Sequence, residues 1–459
     1  MKKYFWLASV GFLLISCKQS SHDYSKVFSD PVLYCKTVKK LNDVVLENNF
    51  PPMIASRNYA YANIAAYECI VAGDNNYISL AGQVKQLPVM PKPEAGKEID
   101  FHLAALLAFA KVGNAVTFPE GSMMGYYDDL KRMADSTGMP ESELNNTIAF
   151  SDTIAATILK WSKKDNYAQT RSAEKYTVTT EEGRWIPTPP MYAQAIEPHW
   201  KEIRCLVMDS CSQFIPSRPP KFDIKDKNSG YYKAMMEVKN IGDSLTTEQK
   251  FIADFWDDNP FKLNVSGHVM FATKKFSPAG HWMNIVGIAA EKAKADFSTT
   301  VAAYAETSIA LFDAFISCWD EKYRSNEIRP ETTINRYVDQ EWRPYIQTPP
   351  FPSYTSGHAT ISAAAAEVMT NWFGDHLTFT DTSSLEFGIQ SRPILSFRQA
   401  AKEAALSRLY GGIHYRHDND EGNKCGTLLG DMIVQKLKFK KPDITCLPAG
   451  EVRKQKQLL

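Results

Sequence analysis

Long runs of alanine and larger apolar residues at helical spacing constrain this chain more than any other feature. Arg57 to Val71 (RNYAYANIAAYECIV), Phe101 to Phe118, Thr147 to Trp161, Trp282 to Trp319, Ala359 to Phe373 and Phe397 to Tyr410 all carry the pattern. Alanine loses no side-chain entropy in a helix, and apolar residues at three- and four-residue steps give each run a face to bury. Few stretches alternate apolar and polar residues as a half-buried strand would. Segments rich in Pro and Gly near 87–97, 186–190, 215–220 and 348–352 read as loops between helices. The expected architecture is all-α, a large protein of packed four-helix bundles.

The N-terminus reads as an address. Lys2 and Lys3 precede an apolar stretch, residues 4–15, that is too short to span a bilayer. It ends in Leu14-Ile15-Ser16-Cys17, which resembles a bacterial lipoprotein signal cleaved before Cys17 and lipidated on it. Residues 1–17 are therefore expected to be a signal peptide, 18–30 a tether and 31–459 a single helical domain. The protein would be exported and lipid-anchored in the cell envelope, periplasm or outer membrane, touching membrane only through that anchor. Export permits disulfides. Cys205 with Cys211 and Cys425 with Cys446 are the candidate pairs, and with Cys17 set aside the eight cysteines leave an odd number.

Composition narrows the partners. Lys and Arg number 52 against 52 Asp and Glu, so the formal charge is zero and no basic nucleic-acid surface is expected. A 44% hydrophobic share suits a large core, and a mean hydropathy of −0.32 excludes a polytopic membrane protein. There is no GxGxxG, Walker A or CxxCH pattern, which argues against nicotinamide, nucleotide and c-type haem.

The chemistry lies in three motifs within residues 319–418. The first, KYRSNEIRP, runs from Lys322 to Pro330. Its Lys and Arg are seven apart, which would place them two helical turns apart on nearly one face, with Pro330 breaking the helix just after Arg329. Such cations suit a tetrahedral oxyanion, although a solvated basic face has the same pattern. The second, FPSYTSGH, runs from Phe351 to His358 into the helix-forming ATISAAAAEVM. Ser356 is placed as an N-cap, which makes the helix start an anion site with His358 in its first turn. A plain capped helix is the alternative. The third, SRLYGGIHYRHD, runs from Ser407 to Asp418. Arg408 offers a bidentate fork, and Asp418, four residues after His414, can fix that histidine's tautomer.

Taken together and in this order, K-x6-R-P, P-S-x-x-S-G-H and S-R-x5-H-x3-D resemble the superfamily of vanadium-dependent haloperoxidases and type-2 phosphatidic acid phosphatases. The resemblance implies that Lys322, Arg329, Ser356, Gly357 and Arg408 hold the oxygens of vanadate or phosphate. His414 would bond the central atom, His358 would act as acid–base, and Asp418 would support His414.

The extended PPFPSYTSGHATISAA is more similar to the haloperoxidases than to most of these phosphatases. Trp319 and Phe351 stand where vanadium chloroperoxidases also carry Trp and Phe, which implies a halide pocket. The dipeptide Trp319-Asp320 before Lys322 resembles bacterial vanadium iodoperoxidases, with Asp320 as a further supporting residue. The implied cofactor is vanadium(V) as vanadate, a Lewis acid without redox change, and no haem. The implied substrates are hydrogen peroxide and iodide, converted to hypohalous acid, and a monomer is expected. Phosphate-monoester hydrolysis remains open at this stage because vanadate and phosphate share charge and shape. His414 would then attack phosphorus and His358 would protonate the leaving group.

Other histidines read as structural. Ser266-Gly267-His268 and Gly280-His281 repeat part of the second motif without its Pro-Ser-Tyr context, though either histidine could line a pocket from another helix. His417 lacks a partner motif for zinc and reads as an exposed or packing residue.

Overall fold

Fifteen α-helices, two short 3-10 helices and two short antiparallel hairpins account for the regular structure among the described residues. The computed structural model describes residues 24–117, 123–260, 262–266 and 269–441. The expected signal segment with Cys17, the first part of the expected tether, His268 and Cys446 lie outside them. Many helices begin where the sequence supplies a side-chain cap. Asp30, Asp100, Ser277, Asp296, Ser356 and Ser396 each accept an amide of the first turn.

The helix Phe297–Ser325 is the axis of the protein. It is long and apolar enough to cross a bilayer, yet its apolar stretch is wholly buried inside the fold. It packs against Pro52–Gly73, which in turn packs on Phe101–Val116 and Glu141–Ser162, and against Gly357–Phe373 and Arg416–Lys436, which both pack on Phe397–Tyr410. Two groups of helices therefore meet on this one helix, and the expected all-α architecture holds.

Close approach of Gly357–Phe373 and Arg416–Lys436 locks the second motif to the third. Gly422, Gly426 and Gly430 recur every fourth residue and face the first of these helices. A Cβ on Gly426 would stand 2.1 Å from the Thr360 carbonyl oxygen, and one on Gly430 would stand 2.7 Å from that of Ala364. Only glycine allows this spacing.

Three expectations need correction. The folded body begins before residue 31. Tyr24–Phe28 is helical, Phe28 is fully buried, and the Tyr24 hydroxyl donates to Glu143 at 2.6 Å. The run Trp282 to Trp319 is two helices, because Asp296 caps a new start by accepting the Thr299 amide at 2.7 Å. Cys205 and Cys211 carry free thiols. The segment between them is organised by the buried Asp313 carboxylate, which accepts the amides of Leu206, Val207 and Met208 at 2.7, 2.8 and 2.9 Å.

Candidate active site

Lys322 and Arg329 converge, but not by sharing a helix face. The helix ends at Ser325, Asn326 takes a left-handed conformation, and Arg329 is extended. Pro330 opens the next helix, Pro330–Tyr337, where its missing N–H costs nothing. Lys322 is fully buried, and its Nζ donates to the carbonyls of Pro352 at 3.0 Å, Ser353 at 2.9 Å and Thr355. The lysine thus buttresses the loop of the second motif from beneath. Burial presses its pKa down to about 7. Arg329 Nε donates to the Phe351 carbonyl and Nη1 to that of Ile413, both at 2.8 Å. Burial, more than its neighbour Arg408, lowers the Arg329 pKa to about 9.

The second motif behaves as its sequence suggests. Ser356 caps Gly357–Phe373 by accepting the Ala359 amide, and its own amide donates to the Asp418 carbonyl at 3.0 Å. His358, in the first turn, is held well below the ordinary histidine pKa by burial, then by Arg408 and His414, so it is neutral at pH 7. Its Nε2 is 3.8 Å from Asp258. Arg408 Nη1 donates to the Trp256 carbonyl at 2.8 Å.

His414 precedes the helix Arg416–Lys436, and Asp418 lies in that helix's first turn. Nδ1 is 2.8 Å from Asp418 Oδ2, and Nε2 is 3.1 Å from Arg329 Nη1. A carboxylate must accept and a guanidinium must donate, so Nδ1 carries the proton and Nε2 presents its lone pair. Burial and Arg329 keep the ring neutral against the pull of Asp418. Burial works against the Asp418 charge, yet His417, His414 and Ser353 hold that carboxyl well below the usual range.

His417 is neither bare surface nor simple packing. Its Nε2 lies 3.0 Å from Glu327 Oε1 and 3.2 Å from Asp418 Oδ1, and its ring stacks on Tyr415 at 5.2 Å and 9°. Burial disfavours its charge, but Glu327 and Asp418 outweigh that and raise its pKa to about 9. Glu327 inside the first motif and the acidic turn Trp256 to Pro260 (WDDNP) are the sequence signals that point to His417 and Asp258.

These elements enclose one hollow, lined by His358, Arg408 and His414 on its polar side and by Phe315, Trp319 and Phe351 on its apolar side. Trp319 and Phe351 meet at 5.0 Å, and Phe351 also covers Lys322 at 5.0 Å and Arg329 at 4.9 Å. Arg329 Nη2, Arg408 Nε and His358 Nε2 are buried without a hydrogen-bond partner among the described residues. Buried donors left unpaired are costly, and a bound oxyanion would satisfy those of Arg329 and Arg408. Gly357 adds room, since a Cβ there would reach only Trp319, at 3.7 Å. The donor set fits a vanadate- or phosphate-like anion facing the His414 lone pair. Asp320 does not join it. Two residues before Lys322 it turns to another side of the helix, where it pairs with Arg324 at 3.3 Å.

Comparison with known proteins gives the chain's relatives. The family described as VCPO second helical-bundle domain matches residues 302–440. A solved structure described as the first bacterial vanadium-dependent iodoperoxidase is 42% identical with a TM-score of 0.85, and the match covers 90% of this chain and 98% of that one. A holo-type bacterial vanadium-dependent chloroperoxidase is 17% identical with a TM-score of 0.62, over 85% of this chain and 92% of its own. Its apo-type counterpart matches with the same identity and TM-score, over 84% and 95%. At that identity the two chloroperoxidases speak for the fold alone. No curated protein sequence matches the chain.

Proposed function

This chain belongs to the vanadium-dependent haloperoxidases, and from that membership we propose that it oxidises iodide with hydrogen peroxide at a vanadate held between Arg329, Arg408 and His414. The observation that carries the reading is the pair of unpartnered buried donors on Arg329 and Arg408, with the unpartnered Nε2 of His358, around the His414 lone pair. Vanadate bound there would supply a Lewis acid that polarises peroxide toward halide attack without changing oxidation state.

The chain's own residues account for the rest. His414 Nε2 is the atom placed to bond the metal, and Asp418 keeps the proton on Nδ1 so that this lone pair stays available. Ser356 and Gly357 bring the positive end of a helix to the oxygens. Lys322 adds charge below the loop it supports. His358 Nε2, neutral and unpartnered, is the atom to take a proton from incoming hydrogen peroxide and later deliver one to the departing hypohalite.

The aromatic wall supports iodide. A large, weakly hydrated anion gives up little solvation on entering an apolar pocket, and iodide is also the easiest of the candidate halides to oxidise. Trp319 and Phe351 fill the wall that the halide would touch.

Purified apo protein reconstituted with orthovanadate should form triiodide from iodide and hydrogen peroxide. It should release little p-nitrophenol from p-nitrophenyl phosphate in parallel. Phosphate-ester turnover without any iodide oxidation would overturn the proposal. We also propose export with lipidation at Cys17, supported by Lys2, Lys3 and the apolar stretch after them. The mass of the mature protein tests this; an unmodified N-terminus would refute it.

A further inference from the structure

His281 is fully buried in the helix Pro278–Lys292 and stands between two carboxylates. Its Nδ1 is 3.0 and 3.1 Å from the two oxygens of Asp258, and its Nε2 is 2.9 Å from Asp381 Oδ2. Acceptors on both nitrogens require both to donate, which makes the ring an imidazolium. Burial disfavours that charge, but Asp258 and Asp381 outweigh it and raise the pKa to about 10. The ring also stacks on the Trp256 indole, with centroids 4.7 Å apart and planes at 27°. A buried Asp–His–Asp cluster is not needed for packing, since apolar residues of similar volume serve as well or better.

The segment that His281 holds is the one that lines the site. The Trp256 carbonyl accepts from Arg408 Nη1 at 2.8 Å and faces the His358 ring. Asp258 lines the hollow 3.8 Å from His358 Nε2. Asp381 belongs to the strand Phe379–Asp381, which pairs with Arg392–Ile394 outside the helical bundles.

We propose that His281 is a positioning residue of the oxidation site: through the bond of Nδ1 to Asp258 it fixes residues 256–258, and through them the orientations of His358 and Arg408, while Nε2 anchors the assembly to Asp381. The inference rests on the reading of His358 and Arg408 as acid–base and anion-binding groups.

Two isosteric variants separate the links. In His281→Asn the amide nitrogen takes the place of Nδ1 and keeps the bond to Asp258. In His281→Gln it takes the place of Nε2 and keeps only the bond to Asp381. His281→Asn should hold kcat and the vanadate affinity of the apo protein within about threefold. His281→Gln should lose roughly tenfold or more in kcat, and several-fold in apo-protein vanadate affinity by equilibrium dialysis, with KM for iodide unchanged. Equal losses in both variants that track their Tm, or full kcat in His281→Gln, would overturn the assignment.

Should His281→Gln not fold, Asp381→Asn cuts only the outer anchor. It should lower Tm while kcat and vanadate affinity stay within about threefold of wild type, and a fall in kcat of roughly tenfold there would place the role of His281 in the fold alone. An inactive wild type would be a failure of the peroxidase reading. The vanadate affinities of the apo proteins would still decide the role of His281.

Discussion

His414 Nδ1 stands 2.8 Å from Asp418 Oδ2, and the same oxygen accepts from the Ser353 hydroxyl and from the Tyr415 amide at 3.2 Å. One carboxylate oxygen thus ties together His414, the loop of the second motif and the start of the helix Arg416–Lys436. Ligand histidines depend on such partners for tautomer and ring orientation.

Asp418→Asn should therefore lower vanadate affinity by about 10–100-fold while leaving the helical circular-dichroism spectrum in place. An amide of the same shape can fill the space, but it offers no charge to fix the proton on Nδ1. Equilibrium dialysis of the apo protein measures the effect, and wild-type affinity in the variant would remove Asp418 from this role.

The candidate site residues could be picked out in the sequence because their spacing is local. Lys322, Arg329, the Ser356–His358 turn, Arg408 and the His414–Asp418 pair each carry a recognisable spacing. How they converge was not. The expected shared face of Lys322 and Arg329 fails because Asn326 leaves the helix, and a left-handed asparagine is a weak signal within a polar run. His281 looked structural because its two aspartates lie 23 and 100 residues away in the chain. The glycines at 422, 426 and 430 were visible but say nothing until the facing helix is known. Asp320 misled because adjacency to Lys322 in sequence is not adjacency on a helix.

Gly426→Ala tests the helix contact that joins the second and third motifs. Alanine would gain about 1 kcal/mol in helix propensity. Its Cβ, however, would fall 2.1 Å from the Thr360 carbonyl oxygen, so the helices must separate. Overpacking of this kind costs about 1–3 kcal/mol, which outweighs the gain. A lower Tm is expected, with weaker vanadate binding because Ser356 and Asp418 share a backbone bond across the same contact. An unchanged Tm would show that the contact is looser than its geometry.

Phe351→Leu removes the ring that covers both Lys322 and Arg329. A desolvated cation over an aromatic face is worth about 1–2 kcal/mol, so vanadate affinity should fall roughly 5–30-fold. Leucine keeps an apolar wall, and iodide should remain the preferred halide. A change in halide preference at unchanged vanadate affinity would assign Phe351 to the halide instead of to the cations. Competition of bromide with iodide, measured on the reconstituted variant, distinguishes these outcomes.

The pH dependence of anion binding should report on Lys322. Burial, reinforced by Arg329, brings its pKa to about 7 in the absence of an anion, although Asp418 and Glu327 partly support the charge. With that pKa the lysine would be mostly neutral at pH 8, giving up one of its three carbonyl bonds, and protonated at pH 6. An oxyanion entering the hollow favours the ammonium form and raises the pKa. Binding at pH 8 should therefore take up close to one proton, binding at pH 6 should take up almost none, and affinity should fall as pH rises above about 7. Sulfate suits the measurement because its own charge does not change over this range. Calorimetric titration at pH 8 in buffers of different ionisation enthalpy gives the proton count directly. A count near zero at pH 8 would mean that the three carbonyls of the 352–355 loop already hold Lys322 as the ammonium.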